Sequence, residues 1–102
     1  MQPAELQRLL AAGEALALLD VREADEVAIC RIPGAVHIPM NEVPQRLGEL
    51  DAKAKTVVYC HHGMRSLAVA GFLLQQGFAD VTNLTGGIDL WAALVDPSLS
   101  RY

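Results

Sequence analysis

A cysteine follows the most strand-like segment of the chain and begins a short loop. The segment 56–59 is rich in β-branched and aromatic residues, which predicts a strand. After it comes the run Cys60-His61-His62-Gly63-Met64-Arg65-Ser66, and then an uncharged helix predicted over 66–76. The first N–H groups of a helix have no partner within the helix, and a curled loop adds more of them. A thiolate at Cys60 would therefore be stabilised, and we expect its pKa to be lowered.

Two other loop residues support an anion site. Gly63 can adopt the positive φ angle of a tight curl, and Arg65 adds a positive charge. No acidic residue occurs between Asp51 and Asp80, so nothing nearby in sequence opposes a negative charge at Cys60. The competing interpretation is a small apolar side chain buried at a strand end. The glycine, the arginine and the helix start together favour the reactive interpretation.

The remaining polar candidates are weaker. Asp20 and Arg22 follow an early strand, where they either face the loop or form a structural ion pair, which we favour. His61 and His62 have no further ligands at metal-binding spacing, so we expect them to shape the loop and the donor pocket, with no metal bound. An acidic run at positions 23–26 is interpreted as a solvated helix face.

Helical and strand-like segments alternate along the chain. Helical segments are predicted over 3–12, 22–29, 41–50 with Asn41 as its cap, 66–76 and 88–95; strands are predicted over 15–19, 35–38, 56–59 and 81–84. This alternation predicts an α/β fold, a small parallel sheet of four to five strands with helices on both faces. Sites in such sheets form beyond the carboxyl ends of the strands, which is where Cys60 stands.

The composition limits the kind of protein. The 102 residues are 52% apolar or aromatic and 20% charged, which fits one domain over residues 1–102. A net charge of −4 argues against a general binder of nucleic acid or anionic membrane. No apolar run reaches the roughly 20 residues of a membrane span, and the first residues do not resemble a signal peptide. We therefore expect a cytoplasmic location and two free thiols rather than a disulfide.

The loop from Cys60 to Ser66 resembles the active-site loop of the rhodanese, or sulfurtransferase, domain. Three further segments resemble other motifs of that family in the same order along the chain: residues 19–22 (Leu-Asp-Val-Arg), 32–39 (Ile-Pro-Gly-Ala-Val-His-Ile-Pro) and 86–91 (Gly-Gly-Ile-Asp-Leu-Trp). The four motifs span most of the chain, so the resemblance, to the single-domain form, is more specific than any one motif.

The resemblance implies a reaction. Cys60 would attack a sulfane sulfur donor such as thiosulfate and hold the sulfur as a persulfide, and a small thiol, a protein or cyanide would then remove it in a ping-pong mechanism. The implied partners are therefore a small sulfur donor and a thiol or protein acceptor, with no nucleic acid and no membrane. No metal or organic cofactor is implied. Donor and persulfide would be bound by His61, His62, Gly63, Met64, Arg65 and Ser66.

The chain departs from the family pattern in two places. Cys30 and Arg31 replace the usual Gly-His pair before the Ile-Pro-Gly turn, which could distort the loop there. Cys30 is either a resolving thiol for the persulfide or a small packed side chain, and we favour packing. The usual first strand is also missing, so the sheet would lack one edge strand. The tail over 95–102 resembles the ending of rhodanese domains fused to adenylating sulfur-carrier enzymes, which hints at sulfur delivery for cofactor synthesis.

Two alternative functions follow from the same residues. A non-catalytic interaction module of this fold commonly lacks the cysteine, whereas Cys60 is present. A cysteine phosphatase or arsenate reductase places five residues between its cysteine and arginine. Here only the four residues 61–64 separate Cys60 from Arg65, so the ring of amides is one residue short.

Overall fold

Four parallel strands form one sheet in the computed structural model, which describes all residues from 1 to 102. The strands are β1 (Ala17–Asp20), β2 (Val36–His37), β3 (Lys55–Tyr59) and β4 (Asp80–Asn83), and their order is β2-β1-β3-β4. The sheet thus has the smaller predicted number of strands. Met1 extends the β4 edge by one residue, because its amino group donates to the Asn83 carbonyl at 2.7 Å and its carbonyl accepts from the Thr85 N–H at 2.8 Å.

Helices cover both faces of this sheet, which confirms the predicted α/β architecture. The α-helices are α1 (Pro3–Ala11), α2 (Ala24–Ile29), α3 (Met64–Gln75) and α4 (Gly87–Leu94). Side chains alternate in direction along a strand, so neighbouring residues of β3 enter different cores. Val57 and Tyr59 pack in the core that holds residues of α1 and α4, whereas Val58 and Cys60 pack in the core that holds residues of α3.

One predicted element is wrong. The segment Met40–Glu49 is a 3-10 helix broken at Arg46, not an α-helix capped by Asn41. Pro39 occupies the cap position, and Pro44 lies inside the segment, where it cannot donate the N–H that an α-helix needs. The segment still packs Val43 into the α3 side of the core.

The helices are short. The longest, α3, has 12 residues, and no helix is long and apolar enough to cross a bilayer.

Candidate active site

Cys60 lies directly after β3, a central strand, and only residues 61–63 separate it from α3. The helix begins at Met64, two residues before the predicted start at Ser66. Gly63 precedes the helix with a φ of +105°, a left-handed conformation that is unfavourable for residues other than glycine. This conformation turns the chain sharply enough to bring the first N–H groups of α3 back over the cysteine.

The Cys60 sulfur is the focus of several hydrogen-bond donors. Its Sγ accepts from the Gly63 N–H at 3.1 Å, from the Ser66 N–H at 3.4 Å and from the Ser66 hydroxyl at 3.2 Å. Burial alone raises the pKa of the Cys60 thiol, but hydrogen bonds from the Ser66 hydroxyl and from the backbone of Ser66, Gly63 and Arg65 outweigh it, so the pKa is lowered. The direction agrees with the sequence-based expectation.

Asn83, at the end of β4, adds a polar contact that the sequence did not reveal. Its amide nitrogen donates to the Gly63 carbonyl at 3.2 Å, so its Oδ1 faces the Ser66 hydroxyl, at 2.5 Å. That hydroxyl has one proton and two acceptors, Asn83 Oδ1 and Cys60 Sγ. Thiolate formation would draw the proton toward sulfur. The position of Asn83 at the carboxyl end of a strand next to β3 is the clue that could have identified it.

The start of α4 holds the backbone of the cysteine loop. The Ile88 N–H donates to the Cys60 carbonyl at 2.9 Å, and the Asp89 N–H donates to the His61 carbonyl at 3.1 Å. A Cβ on Gly87 would lie 2.4 Å from the His61 oxygen and 2.5 Å from the Cys60 oxygen. Glycine is therefore required for this close approach. The loop carbonyls are occupied by α4, which leaves the loop amides free to face the sulfur.

Arg65 does not carry an uncompensated charge, which corrects the sequence-based expectation. Its guanidinium makes two hydrogen bonds to the Glu26 carboxylate, at 2.6 and 2.8 Å. Glu26 was expected on a solvated helix face, but its side chain is only 16% exposed, and hydrogen bonding to Arg65 lowers its pKa to about 2. The acidic partner is 39 positions away in sequence, so the residues near Arg65 in the chain do not indicate it.

Tyr102 brings the C-terminal tail against the same loop. Its hydroxyl donates to Glu26 Oε2 at 2.7 Å and accepts from Arg22 Nη1 at 3.1 Å. Its ring stacks on the imidazole of His61 with 3.9 Å between ring centroids. The His61 ring also lies 3.9 Å, between centroids, from that of His62, and its Nε2 is buried without a hydrogen-bond partner.

The loop residues fall into three environments, of which the half-buried one holds His61 and Arg65. Cys60, Gly63 and Ser66 are buried around the sulfur. His62 and Met64 lie at the solvent rim, with 63% of the His62 side chain and 77% of Met64 exposed. His62 Nδ1 is 3.8 Å from an Asp89 carboxylate oxygen.

Comparisons with known proteins show which family the chain belongs to. The sequence model of the Rhodanese-like domain matches residues 2–94. The chain belongs to the rhodanese-like domain family. A sulfurtransferase of Allochromatium vinosum is 40% identical over 87 residues, covering 85% of this chain and 81% of that protein. The thiosulfate sulfurtransferase GlpE of Pseudomonas aeruginosa is 36% identical over 77 residues, covering 76% and 70%. The human single-domain sulfurtransferase TSTD1 superposes with a TM-score of 0.85 at 27% identity, covering 92% of this chain and 95% of that one.

Asp20 and Arg22, from one of the motifs that resembled the rhodanese family, form a buried ion pair. Arg22 Nη2 lies 2.6 Å from Asp20 Oδ2, and its Nε donates to Asp20 Oδ1 at 2.9 Å. Arg22 also donates to the carbonyls of Cys30 and Glu26, so the pair joins the end of β1 to the middle and the C-terminal end of α2. This is the structural ion pair that the sequence favoured. It reaches the cysteine loop through Glu26, which binds Arg65, and through Tyr102, whose ring stacks on His61.

Cys30 fits its unusual place in this rhodanese-like domain without strain. Its φ of −163° and ψ of 157° are extended angles that any residue adopts, so the expected distortion does not occur. Its side chain packs in the core on the α1 and α4 side of the sheet, whereas Cys60 packs on the α3 side. A direct resolving attack of Cys30 on a Cys60 persulfide does not fit this arrangement.

Proposed function

We propose that this rhodanese-like domain, with residues 1–102 acting as one domain, is a sulfurtransferase that carries a sulfane sulfur on Cys60. The observation that supports this most directly is the position of Cys60 Sγ, on which the Gly63 and Ser66 amides and the Ser66 hydroxyl converge. Donors of this kind stabilise a thiolate before the attack and a charged persulfide after it. The sulfurtransferase relatives that match most of the chain support the same reaction class.

The reaction has two half-reactions. In the first, the Cys60 thiolate attacks the outer sulfur of thiosulfate or of another persulfide donor. The bond between the donor's two sulfurs breaks, and its electron pair leaves with the departing sulfite or thiolate. Cys60 then holds the transferred sulfur as a persulfide. In the second, cyanide or an acceptor thiolate attacks the outer sulfur of this persulfide and regenerates the Cys60 thiolate. The negative charge of the persulfide is on its outer sulfur. Between the two steps the Ser66 hydroxyl can therefore donate its hydrogen bond to Asn83 Oδ1 again instead of to Cys60 Sγ.

Arg65 disfavours the phosphatase alternative. In a cysteine phosphatase loop the arginine must be available to bind a phosphoryl group, but here its Nη1 and Nη2 both donate to the Glu26 carboxylate. The loop also has four residues, not five, between cysteine and arginine. A non-catalytic module would have no use for the donors around Cys60 Sγ.

Intact mass spectrometry tests the proposal directly. The protein is incubated with thiosulfate or an alkyl persulfide, and the addition of one sulfur atom is expected. Cyanide should then remove this atom as thiocyanate, and the Cys60→Ser variant should acquire none. Cys30→Ser is the matched control and should be loaded like the wild type. Hydrolysis of an aryl phosphate by Cys60 that is faster than sulfur loading would instead favour the phosphatase.

A further inference from the structure

Charged side chains beside the cysteine loop compensate one another. Arg65 is paired with Glu26, and Arg101 donates to Asp89 at 3.0 and 3.2 Å. His62 also lies beside Asp89. The two arginines that flank the loop therefore add little net charge, and the whole chain carries −4. Neutral backbone amides and one hydroxyl remain as the donors that face Cys60 Sγ.

We propose that Glu26, by neutralising Arg65, makes this site select sulfur donors whose departing group carries little negative charge. An alkyl persulfide meets this description, and dianionic thiosulfate does not. The inference rests on the sulfurtransferase function proposed above and names the donor class for it.

The two donors differ in the charge that the site must hold. Attack on thiosulfate joins a thiolate with a dianion and releases sulfite, so three negative charges share the site throughout the step. In the attack on a protonated alkyl persulfide, Cys60 forms a bond to the outer sulfur, the donor's S–S bond breaks, and an alkyl thiolate is released. This thiolate takes the proton that the transferred sulfur carried and leaves as a thiol. This step involves one negative charge. The loop amides can stabilise one negative charge. The second and third negative charges that thiosulfate brings need a cation that is not already paired.

Arg65 is the cation that could serve, and its surroundings keep it paired. It lies in the first turn of α3, beside the amides that surround the Cys60 sulfur, and its pKa is raised chiefly by its hydrogen bonds to Glu26, with a contribution from the charge of Cys60. Tyr102 donates a further hydrogen bond to the same carboxylate at 2.7 Å. Glu26 is thus anchored from two sides and is not easily displaced by a bound sulfonate.

A pair of charge-removing substitutions on α2 tests this role. Glu26→Gln removes the carboxylate charge that neutralises Arg65. Asp25→Asn removes the same charge from an exposed neighbour on the same helix and leaves the Arg65 pair intact, so it is the matched control. The measurement is kcat/KM for sulfur loading from thiosulfate divided by that from 2-hydroxyethyl persulfide. Both donors react with the same thiolate, so this ratio cancels any change in the nucleophilicity of Cys60.

We expect Glu26→Gln to raise the ratio by about threefold to tenfold, the scale of one partly exposed charge interaction, and Asp25→Asn to leave it within about twofold. An unchanged ratio in Glu26→Gln, or an equal rise in Asp25→Asn, would overturn the selection by Glu26. Failure of the wild type to load sulfur from either donor would contradict the proposed function itself, which is a separate outcome.

The wild type offers a second test that needs no substitution. Salt screens repulsion as well as attraction. The rate of loading from thiosulfate should therefore rise or stay level with ionic strength in the wild type, and fall in Glu26→Gln, where Arg65 attracts the dianion. A wild-type rate that falls steeply with ionic strength would show a free cation at the site and contradict the proposal.

Discussion

The two cysteines of the chain are both free and both buried, with 1% of Cys60 and 8% of Cys30 exposed, yet their surroundings differ in kind. Cys60 Sγ receives hydrogen bonds from two amides and one hydroxyl at the start of α3. Cys30 packs among apolar side chains on the other face of the sheet, and its carbonyl, not its thiol, binds Arg22. Burial alone would make either thiol inert, so the donors distinguish a nucleophile from a packing residue.

The largest effect is expected from Cys60→Ser. The serine hydroxyl has nearly the same size but is not ionised at neutral pH, so sulfur transfer should fall by at least about a thousandfold. Circular dichroism should show an intact fold. Cyanide-dependent thiocyanate formation measures the activity, and substantial activity in this variant would show that Cys60 is not the nucleophile.

Gly87→Ala tests the support of the reactive cysteine rather than the cysteine itself. The new Cβ would lie 2.4 and 2.5 Å from backbone oxygens of the loop, which cannot move without turning the amides away from Cys60. We expect sulfur loading to fall about a hundredfold and the free energy of unfolding to fall by about 1–3 kcal/mol.

Gly71→Ala is the matched control for this substitution. Gly71 lies within α3, and a Cβ there would meet nothing within 4 Å. Alanine is the better helix former by about 0.5–1 kcal/mol, so this variant should be slightly more stable and fully active. Equal behaviour of the two variants in loading and in chemical denaturation would mean that the contact of α4 with the loop is unimportant.

Sequence reasoning succeeded where the determining residues are neighbours in the chain. The strand, Cys60 and Gly63 lie close enough in sequence to predict a cysteine at a helix start with a lowered pKa, and the alternating elements predict the parallel sheet. It failed where partners are distant in sequence: Glu26 meets Arg65 across 39 positions, and Asn83 meets Ser66 across 17. Such contacts depend on how the elements pack, which local patterns do not specify. Pro44 shows a third case: the apolar residues around it have helical spacing, but the missing N–H of this proline does not allow a regular α-helix.

Ser66→Ala should produce an intermediate effect by removing one of the donors that distinguish Cys60 from Cys30. The hydroxyl favours the thiolate, so its loss should raise the Cys60 pKa. At a pH below the pKa in both proteins, the alkylation rate of Cys60 should fall about tenfold, as for a hydrogen bond of ~1.4 kcal/mol to a charged group.

Iodoacetamide alkylation followed against pH, with peptide mapping to separate the two cysteines, measures this change. The alkylation profile of Cys30 within the same samples is the internal control and should not move. A Cys60 profile that stays in place, or moves to lower pH, would show that the Ser66 hydroxyl donates its hydrogen bond to Asn83 Oδ1, and not to sulfur, in both protonation states of the thiol.

The smallest effect is expected from Cys30→Ser. Its side chain faces the core opposite to the one that holds Cys60, and the Arg22 contact uses the backbone carbonyl, which serine retains. A hydroxyl among apolar side chains costs about 1 kcal/mol of stability, while sulfur loading and release should stay within about twofold of the wild type. Thermal unfolding and single-turnover transfer to a thiol measure the two quantities separately. A variant of unchanged stability that loads sulfur but fails to release it would give Cys30 the resolving role and remove the distinction between the two thiols, because the packed cysteine would then take part in the chemistry.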